Sequence, residues 1–214
     1  MQEILGVLPA LLKGTLITMQ VFAMVLVLSI PLGIVLSFLY QTKSKVIHWL
    51  LSAFIWVMRG TPLLLQLIFV YYVLPSIGIR MDRLTAAIIA FTLNYAAYFA
   101  EIFRGGIASI PQGQYEAAQV LKFNRLQTIR LILLPQVVKI VLPSVFNEIT
   151  SLVKDTSLVY ALGISDLIMA SRTAANRDAS LFPMFVAGLI YLILIGLITW
   201  MAKKVEKKLN FEEK

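Results

Sequence analysis

The chain has 214 residues, of which 59% are hydrophobic and 14% charged, and its basic surplus gives a net charge of +8. Globular domains are roughly 45–50% apolar and about 25% charged, so this composition excludes a water-soluble domain and a disordered chain. The absence of cysteine excludes disulfides and thiolate metal sites, and a single histidine, His48, argues against a histidine metal site. Strong apolar character with a basic surplus indicates a membrane protein, and nucleic acid is not needed to explain the charge.

Five segments are apolar enough to cross a bilayer, which takes about 20 residues of helix. They are 14–40, 46–74, 84–100, 131–153 and 181–202. The first exceeds the length of a signal-peptide core, so we expect it to be retained. An exit turn is predicted at 75–78, from its proline and glycine. With no internal repeat, the sequence predicts an all-α integral membrane bundle of five spans in a single domain, 1–214.

The distribution of basic residues predicts the orientation. With the N-terminus outside, the segments 41–45, 104–130 and 203–214 are cytoplasmic and hold 11 of the 19 Lys and Arg residues, against five outside and three within spans. Basic residues concentrate on the cytoplasmic side of membrane proteins. We therefore expect the N-terminus outside and the C-terminus in the cytoplasm.

The segment 111–135 is the least membrane-like part of the chain's interior. Asn124 with Gln127 three residues later forms a capping-box pattern, which predicts a short helix from Arg125 that stops before Pro135. A first short helix is predicted just upstream, from Gln114. Two short helices joined by a turn form a cytoplasmic knob, and the residues alone leave open whether it is a docking surface or a solvated connector.

Polar and ionisable residues at membrane depth form three stripes at helical spacing. The stripes are Arg59 and Gln66, with Thr61 beside them, in the second span, Asn94, Tyr98 and Glu101 in the third, and Glu148, Ser151 and Asp155 in the fourth. Pro62 removes the hydrogen-bond donor for the Met58 carbonyl, which predicts a kink and a free acceptor. The stripes mark a pathway, or Arg59 pairs with Glu148 or Asp155 only to hold the bundle together.

Four sequence blocks and a triplet carry a resemblance to a known family. The triplet is Glu116-Ala117-Ala118, and the blocks are RGTPLL at 59–64, NYAAYFAEIFRGGI at 94–107, IPQGQ at 110–114 and LVKDTSL at 152–158. Together they resemble the polar amino-acid branch of the permease subunits of type I ABC importers. The resemblance implies the five-span permease fold of those proteins and a cytoplasmic coupling loop at about 111–134.

In that family the coupling helices seat in a groove of a separate ATPase subunit. The resemblance therefore implies coupling roles for Gly113, Glu116, Ala117, Ala118, Lys122 and Asn124. The family pattern has glycine where this chain has Lys122. Because lysine tolerates a positive φ poorly, we expect the turn at Asn124 instead, or a different meeting of the two helices.

ATP chemistry is expected on another chain. No G-x-x-x-x-G-K-[ST] phosphate-binding loop occurs in the sequence. We therefore expect no enzymatic activity and no cofactor here, with ATP and Mg²⁺ bound by the partner ATPase.

A free amino acid needs donors for its carboxylate and acceptors for its ammonium group. Arg59, Thr61 and Asn94 can donate. The carboxylates of Glu101, Glu148 and Asp155 can accept, and with Gln66, Tyr98 and Ser151 they complete the predicted substrate site. The excess of acids favours a basic amino acid such as arginine, histidine or lysine, although Lys139 and Lys154 could cancel it.

Further partners follow from the same resemblance. Five spans leave little room for a complete pathway, so a second permease copy is expected, as a homodimer. The outer segment 165–180 is predicted to receive an extracytoplasmic amino-acid-binding protein, or to be a solvated connector. The alternatives are an ion-coupled secondary transporter, with Glu101, Glu148 and Asp155 as coupling carboxylates, and a non-transporting anchor subunit.

Overall fold

The structure is a computed structural model that describes residues 2–210, with side chains from 6 to 209. Its helices are α1 (Gln2–Leu39), α2 (Lys45–Gly60), α3 (Leu63–Ile68), α4 (Arg83–Ala108), α5 (Gln112–Val120), α6 (Arg125–Gln127), α7 (Leu134–Asp155), α8 (Leu167–Asp178) and α9 (Phe182–Asn210). Two π-helical segments (Phe69–Val73, Thr128–Leu133) and two 3-10 segments (Leu74–Ile77, Thr156–Leu162) extend some of them. All regular structure in the described range is helical, as predicted.

The predicted spans are present. Four continuous helical stretches are long and apolar enough to cross a membrane, at 6–39, 83–108, 125–162 and 182–209. The fifth is the pair α2 and α3, which is bent by 107° at a short break. The kink predicted at Pro62 is confirmed, and the exit turn ends at Gly78 in the left-handed conformation, with a φ of 90°.

Helix α4 is the centre of the bundle and packs against α1, α2, α3 and α7. Small residues allow this close approach. A side chain at Gly33 of α1 would meet the Cβ of Phe99, and one at Gly106 of α4 would meet Val141 of α7. The largest side chains that α4 buries in the core are Phe91, Tyr95 and Phe99. This packing places the polar stripe of α4, which is Asn94, Tyr98 and Glu101, against Met58 and Arg59 of α2.

One boundary prediction is wrong. The helix that begins at Arg125 does not stop before Pro135 but continues through the π-helical turn Thr128–Leu133 into α7. Pro135 has no N–H to donate, and it comes directly after the π-helical turn, where the regular hydrogen-bond spacing of the α-helix is already interrupted. It therefore lies in the first turn of α7, where proline is tolerated. The side-chain amide of Gln136 also donates to the carbonyl of Ile132, at 2.8 Å. The fourth span therefore begins at the knob itself, at Arg125.

Candidate functional site: a polar cluster at the broken span

The break between α2 and α3 is held by side chains. The side-chain amide of Asn94 donates to the Met58 carbonyl at 2.8 Å, and that of Gln66 donates to it at 2.9 Å. Asn94 also donates to the Gln66 Oε1 at 3.0 Å, and Gln66 donates to the Thr61 hydroxyl at 2.8 Å. The acceptor that Pro62 sets free is therefore occupied by two predicted substrate-binding residues, which stabilise the bend.

Arg59 occupies the last turn of α2, beside this break. Its Nη1 lies 3.5 Å from the Glu101 Oε2, and its guanidinium lies 5.1 Å from the ring centroid of Tyr98. The partner of Arg59 in an ion pair is therefore Glu101, and not Glu148 or Asp155 as the structural alternative supposed. The structure brings Arg59, Tyr98 and Glu101 together, as their stripes predicted.

Glu101 also binds a residue that the sequence analysis assigned to the cytoplasmic segment. Both nitrogens of the Arg104 side chain that face it, Nε and Nη2, donate to the Glu101 carboxylate at 2.8 Å. The spacing of three residues along α4 is the signal that could have indicated this pair. The charge of Glu101 is thus shared between two guanidinium groups, and this carboxylate is the least available of the three predicted acceptors.

The stripe on α7 supplies the other carboxylates. Glu148 is half-buried and lies within electrostatic range of Asp155 and Arg59. The Asp155 Oδ2 accepts a hydrogen bond of 2.7 Å from the hydroxyl of Tyr95, which is buried in α4. Sequence reasoning missed Tyr95, since only the fold brings α4 and α7 together. Ser151 is half-buried on α7, and Lys154 is exposed.

The knob, at 111–134, has the predicted capping box but not the predicted turn. The Asn124 side chain accepts from the Gln127 backbone N–H, and the Gln127 side chain accepts from that of Asn124, both at 2.9 Å. Lys122 nevertheless adopts the left-handed conformation, with a φ of 55°, while Asn124 is extended. The expectation that the turn moves to Asn124 is therefore wrong.

The reason is the way in which α5 ends. The N–H of Phe123 donates to the carbonyl of Ala118 at 3.0 Å, and that of Lys122 donates to Gln119 at 2.9 Å. These two bonds form a Schellman motif, whose geometry requires a left-handed residue at position 122 whatever its side chain. The position at which the resemblance implies a glycine is thus left-handed here with a lysine.

The residues of the knob divide into exposed and buried positions. Gly113, Glu116 and Ala117 are exposed, whereas Ala118 is 1% exposed and packs inward. Large apolar side chains are exposed around the turn, namely Val120, Leu121 and Leu126. The knob therefore presents an apolar tip with Glu116 beside it.

Outside the spans, the segment 165–180 is a helix, α8. Asp166 is fully buried at its N-terminus and accepts from the backbone N–H groups of Ile168 and Met169. Burial raises the pKa of the Asp166 carboxyl to about 6, against the lowering effect of these bonds. Asp166 thus caps α8 from inside the bundle, whereas Arg172, Arg177 and Asp178 of the same helix are exposed.

Chemically, the cluster is a set of charged and polar groups gathered from α2, α3, α4 and α7. It combines a guanidinium, two carboxylates on α7 and a carbonyl at a broken helix, which is the way membrane transporters build polar sites at depth. Among the described residues, no group of His, Asp and Glu side chains is suited to hold a metal ion.

Comparison with known proteins gives consistent matches over nearly the whole chain. The family described as "binding-protein-dependent transport system inner membrane component" matches residues 29–211. The arginine transport system permease protein ArtQ of Bacillus subtilis is 37% identical over 95% of this chain and 94% of its own length. The putative glutamine transport system permease protein GlnP of Rickettsia felis is 34% identical, over 93% and 92%.

Solved structures agree on the fold. A crystal structure of an amino acid ABC transporter with histidines has a TM-score of 0.89 at 27% identity and covers 96% of both chains. An inward-facing structure of the MetNI methionine ABC transporter has a TM-score of 0.72 at 19% identity over 98% of this chain and 97% of its own. This chain belongs to the inner membrane components of binding-protein-dependent transport systems and is an amino-acid ABC transporter permease with the type I importer fold.

Proposed function

We propose that this chain forms the substrate pathway of an ATP-driven importer for a polar amino acid with a basic side chain. The observation that carries the proposal is the carboxylate of Glu148 on α7, which lies within electrostatic range of both Arg59 at the broken span and Asp155. An intramembrane charge is costly, by at least about 2.5 kcal/mol on insertion scales, and is usually retained where it serves a pathway. Arg59 would receive the substrate's carboxylate, and α7 its cationic groups.

The preference for a basic substrate follows from how the three acids are used. Glu101 is neutralised by Arg59 and Arg104, whereas Asp155 accepts a hydrogen bond from the uncharged hydroxyl of Tyr95. The α7 side of the site therefore carries an excess of negative charge that a cationic side chain would balance. The relative named for arginine transport supports this preference, while those named for glutamine transport support the wider class of polar amino acids.

The cytoplasmic knob is the proposed docking site for the ATPase, which would bind ATP and Mg²⁺. The exposed apolar tip at Val120, Leu121 and Leu126 supports this role, because such a patch is typical of a protein interface. The continuous helix from Arg125 to Asp155 supports coupling as well, since it joins the knob rigidly to the carboxylates of α7.

The remaining partners complete the importer. A second copy of the chain would close the pathway, and an extracytoplasmic amino-acid-binding protein would deliver substrate to the outer face at α8. The excess of basic residues on 41–45, 104–130 and 203–214 supports an outer N-terminus and a cytoplasmic C-terminus.

The test is substrate-stimulated ATP hydrolysis by the permease reconstituted with its ATPase and binding protein in vesicles. The Glu148→Gln variant should abolish the stimulation by arginine while the complex still assembles. The matched control is Glu206→Gln on α9, outside the polar cluster, which should leave stimulation unchanged. Unchanged stimulation in the Glu148→Gln variant would assign this carboxylate to the packing of the bundle instead.

The substrate class is tested separately by uptake of labelled amino acids. Arginine, histidine or lysine should be taken up in preference to glutamine and glutamate. Equal uptake of glutamate would reject the basic preference without rejecting import. Uptake that survives ATP depletion but collapses with an ionophore would reject the ABC mechanism itself.

A further inference from the structure

Helix α9 presents one continuous apolar stripe on the outside of the bundle. Phe185, Leu189, Ile193, Leu197 and Trp200 recur every three or four residues and are each at least 44% exposed. This spacing places them on one face of the helix. The opposite face, with the buried Ala187 and Ala202, packs on α7 and α8. The stripe is therefore the face of α9 that lipid covers.

Four lysines extend this stripe past its end. Lys203, Lys204, Lys207 and Lys208 are exposed, at three, four, seven and eight residues after Trp200. This is the spacing of a single helical face, and it is the face that carries Trp200. Glu206 lies off that face and is only partly exposed. The positive charge thus projects above the lipid that contacts α9, and not into the bundle.

Trp200 marks the depth at which the apolar stripe gives way to charge. The Lys204 ammonium lies 3.8 Å from the centroid of a Trp200 ring, so the pair combines an aromatic interface anchor with a cation. With a rise of about 1.5 Å per residue, the four lysines lie about 4–12 Å beyond Trp200 along the helix axis. That is the depth of the phospholipid headgroups.

From this geometry we propose that the end of α9 is a binding surface for anionic phospholipid headgroups, in the leaflet at which the helix leaves the membrane. In the proposed orientation this is the cytoplasmic leaflet. Charge complementarity and continuity with the lipid-covered stripe favour lipid over a protein partner. The knob at 111–134 lies on another segment, so this surface is additional to the proposed ATPase site.

The experiment uses Trp200 as the reporter. In a chain with Trp49→Phe and Trp56→Phe, Trp200 is the one remaining tryptophan. This chain is placed in mixed vesicles of phosphatidylglycerol and phosphatidylcholine, in which one lipid or the other is brominated. The quenching is referenced to unbrominated vesicles of the same composition. Each basic residue near an anionic surface contributes about a fivefold factor in binding. Phosphatidylglycerol should therefore quench with an apparent association constant at least about tenfold that of phosphatidylcholine.

Replacing all four lysines by glutamine should reduce this preference to near unity, and replacing them by arginine should preserve it. Lys13→Gln, at an exposed position on α1, is the matched control and should change nothing. Equal quenching by the two lipids, or a preference that survives the glutamine replacements, would overturn the proposal. Absence of quenching by either lipid would show that a second chain covers the stripe. Loss of ATPase binding with lipid preference intact would assign the lysines to that protein instead.

Discussion

The chain turns after Gly60 and again after Leu121, and these two turns are stabilised in different ways. The turn after Leu121 uses neighbours in sequence, namely the Schellman bonds of α5 and the capping box of Asn124 and Gln127. The turn after Gly60 uses Asn94, which comes from α4 and is 36 residues away from Met58. One turn is local and the other depends on the tertiary fold.

This difference determines how each turn responds when the surrounding helices move. A local turn keeps its geometry when the helices around it move, which suits a knob that transmits force to or from a partner. A turn held by a neighbouring helix changes when that helix moves. Asn94 lies one helical turn from Tyr98 and two from Glu101, so a shift of α4 would disturb the break and the Arg59 contacts together.

The prolines of the chain also show that the bend after Gly60 depends on the tertiary fold. Pro9, Pro31 and Pro143 all lie inside α-helices without breaking them, and Pro135 follows a π-helical turn. Only at Pro62 does a span bend by 107° within the described residues. What distinguishes Pro62 is that two side-chain amides replace the missing donor at the Met58 carbonyl. A bend therefore requires a stabilised alternative for the freed carbonyl, and proline alone does not produce it.

The largest effect is expected from Asn94→Leu. This change removes one of two donors to the Met58 carbonyl and the Asn94 donor to the Gln66 Oε1, and leucine at this buried position can replace neither bond. Leaving a buried polar group unsatisfied costs about 1–3 kcal/mol. We expect the free energy of unfolding to fall by about 2 kcal/mol in a titration of mixed micelles with dodecyl sulfate.

Asn147→Leu is the matched control for this experiment. It makes the same substitution at an exposed position of α7, and it should change the free energy of unfolding by less than about 0.5 kcal/mol. If the two variants lose equal stability, the break is not held by Asn94 and the distinction between the turns fails.

A smaller and local effect is expected from Asn124→Ala. Loss of an N-cap costs about 1 kcal/mol, and here it removes the side-chain acceptor of the Gln127 backbone N–H, while the backbone N–H of residue 124 can still donate to the Gln127 side chain. Because the turn is local, the loss should appear as faster amide hydrogen exchange within 112–128 while the spans exchange as before. Faster exchange in α4 as well would show that the knob is coupled to the core after all.

Lys122→Gly should act in the opposite direction. A non-glycine residue in the left-handed region costs about 1–2 kcal/mol, part of which glycine returns through the entropy of the unfolded chain. We expect amide exchange in α5 to slow by a factor that corresponds to about 0.5–1 kcal/mol. Slower exchange combined with lost ATPase binding would show that the lysine side chain, and not its backbone, is needed by the partner.

These turns also show which features of the structure could be predicted from the sequence alone. The capping box was predictable because Asn124 and Gln127 form it with each other, and the freed Met58 carbonyl because proline always removes a donor. The side-chain amides of Asn94 and Gln66 that stabilise the bend there come only with the fold. The partners of Arg59 and Asp155 were not, since a single sequence does not show that Glu101 and Tyr95 face them across helix interfaces. The continuation through Pro135 was mispredicted because a π-helical turn leaves no pattern in the residues that form it.

The smallest effect is expected from Pro135→Ala. The helix already runs through this position, and Pro135 lies in the first turn of α7, so its removal should change the free energy of unfolding by less than about 0.5 kcal/mol. Because the chain has no cysteine, spin labels at Arg125→Cys and Ile140→Cys can report the direction of the helix. The distance between the labels should be the same with proline and with alanine. A gain of about 3 kcal/mol, the full cost of proline in a helix interior, would mean that the π-helical turn does not relieve the missing donor. A changed distance with unchanged stability would mean that Pro135 sets the direction of the fourth span, and the rule drawn from Pro62 would then not extend to the rest of the bundle.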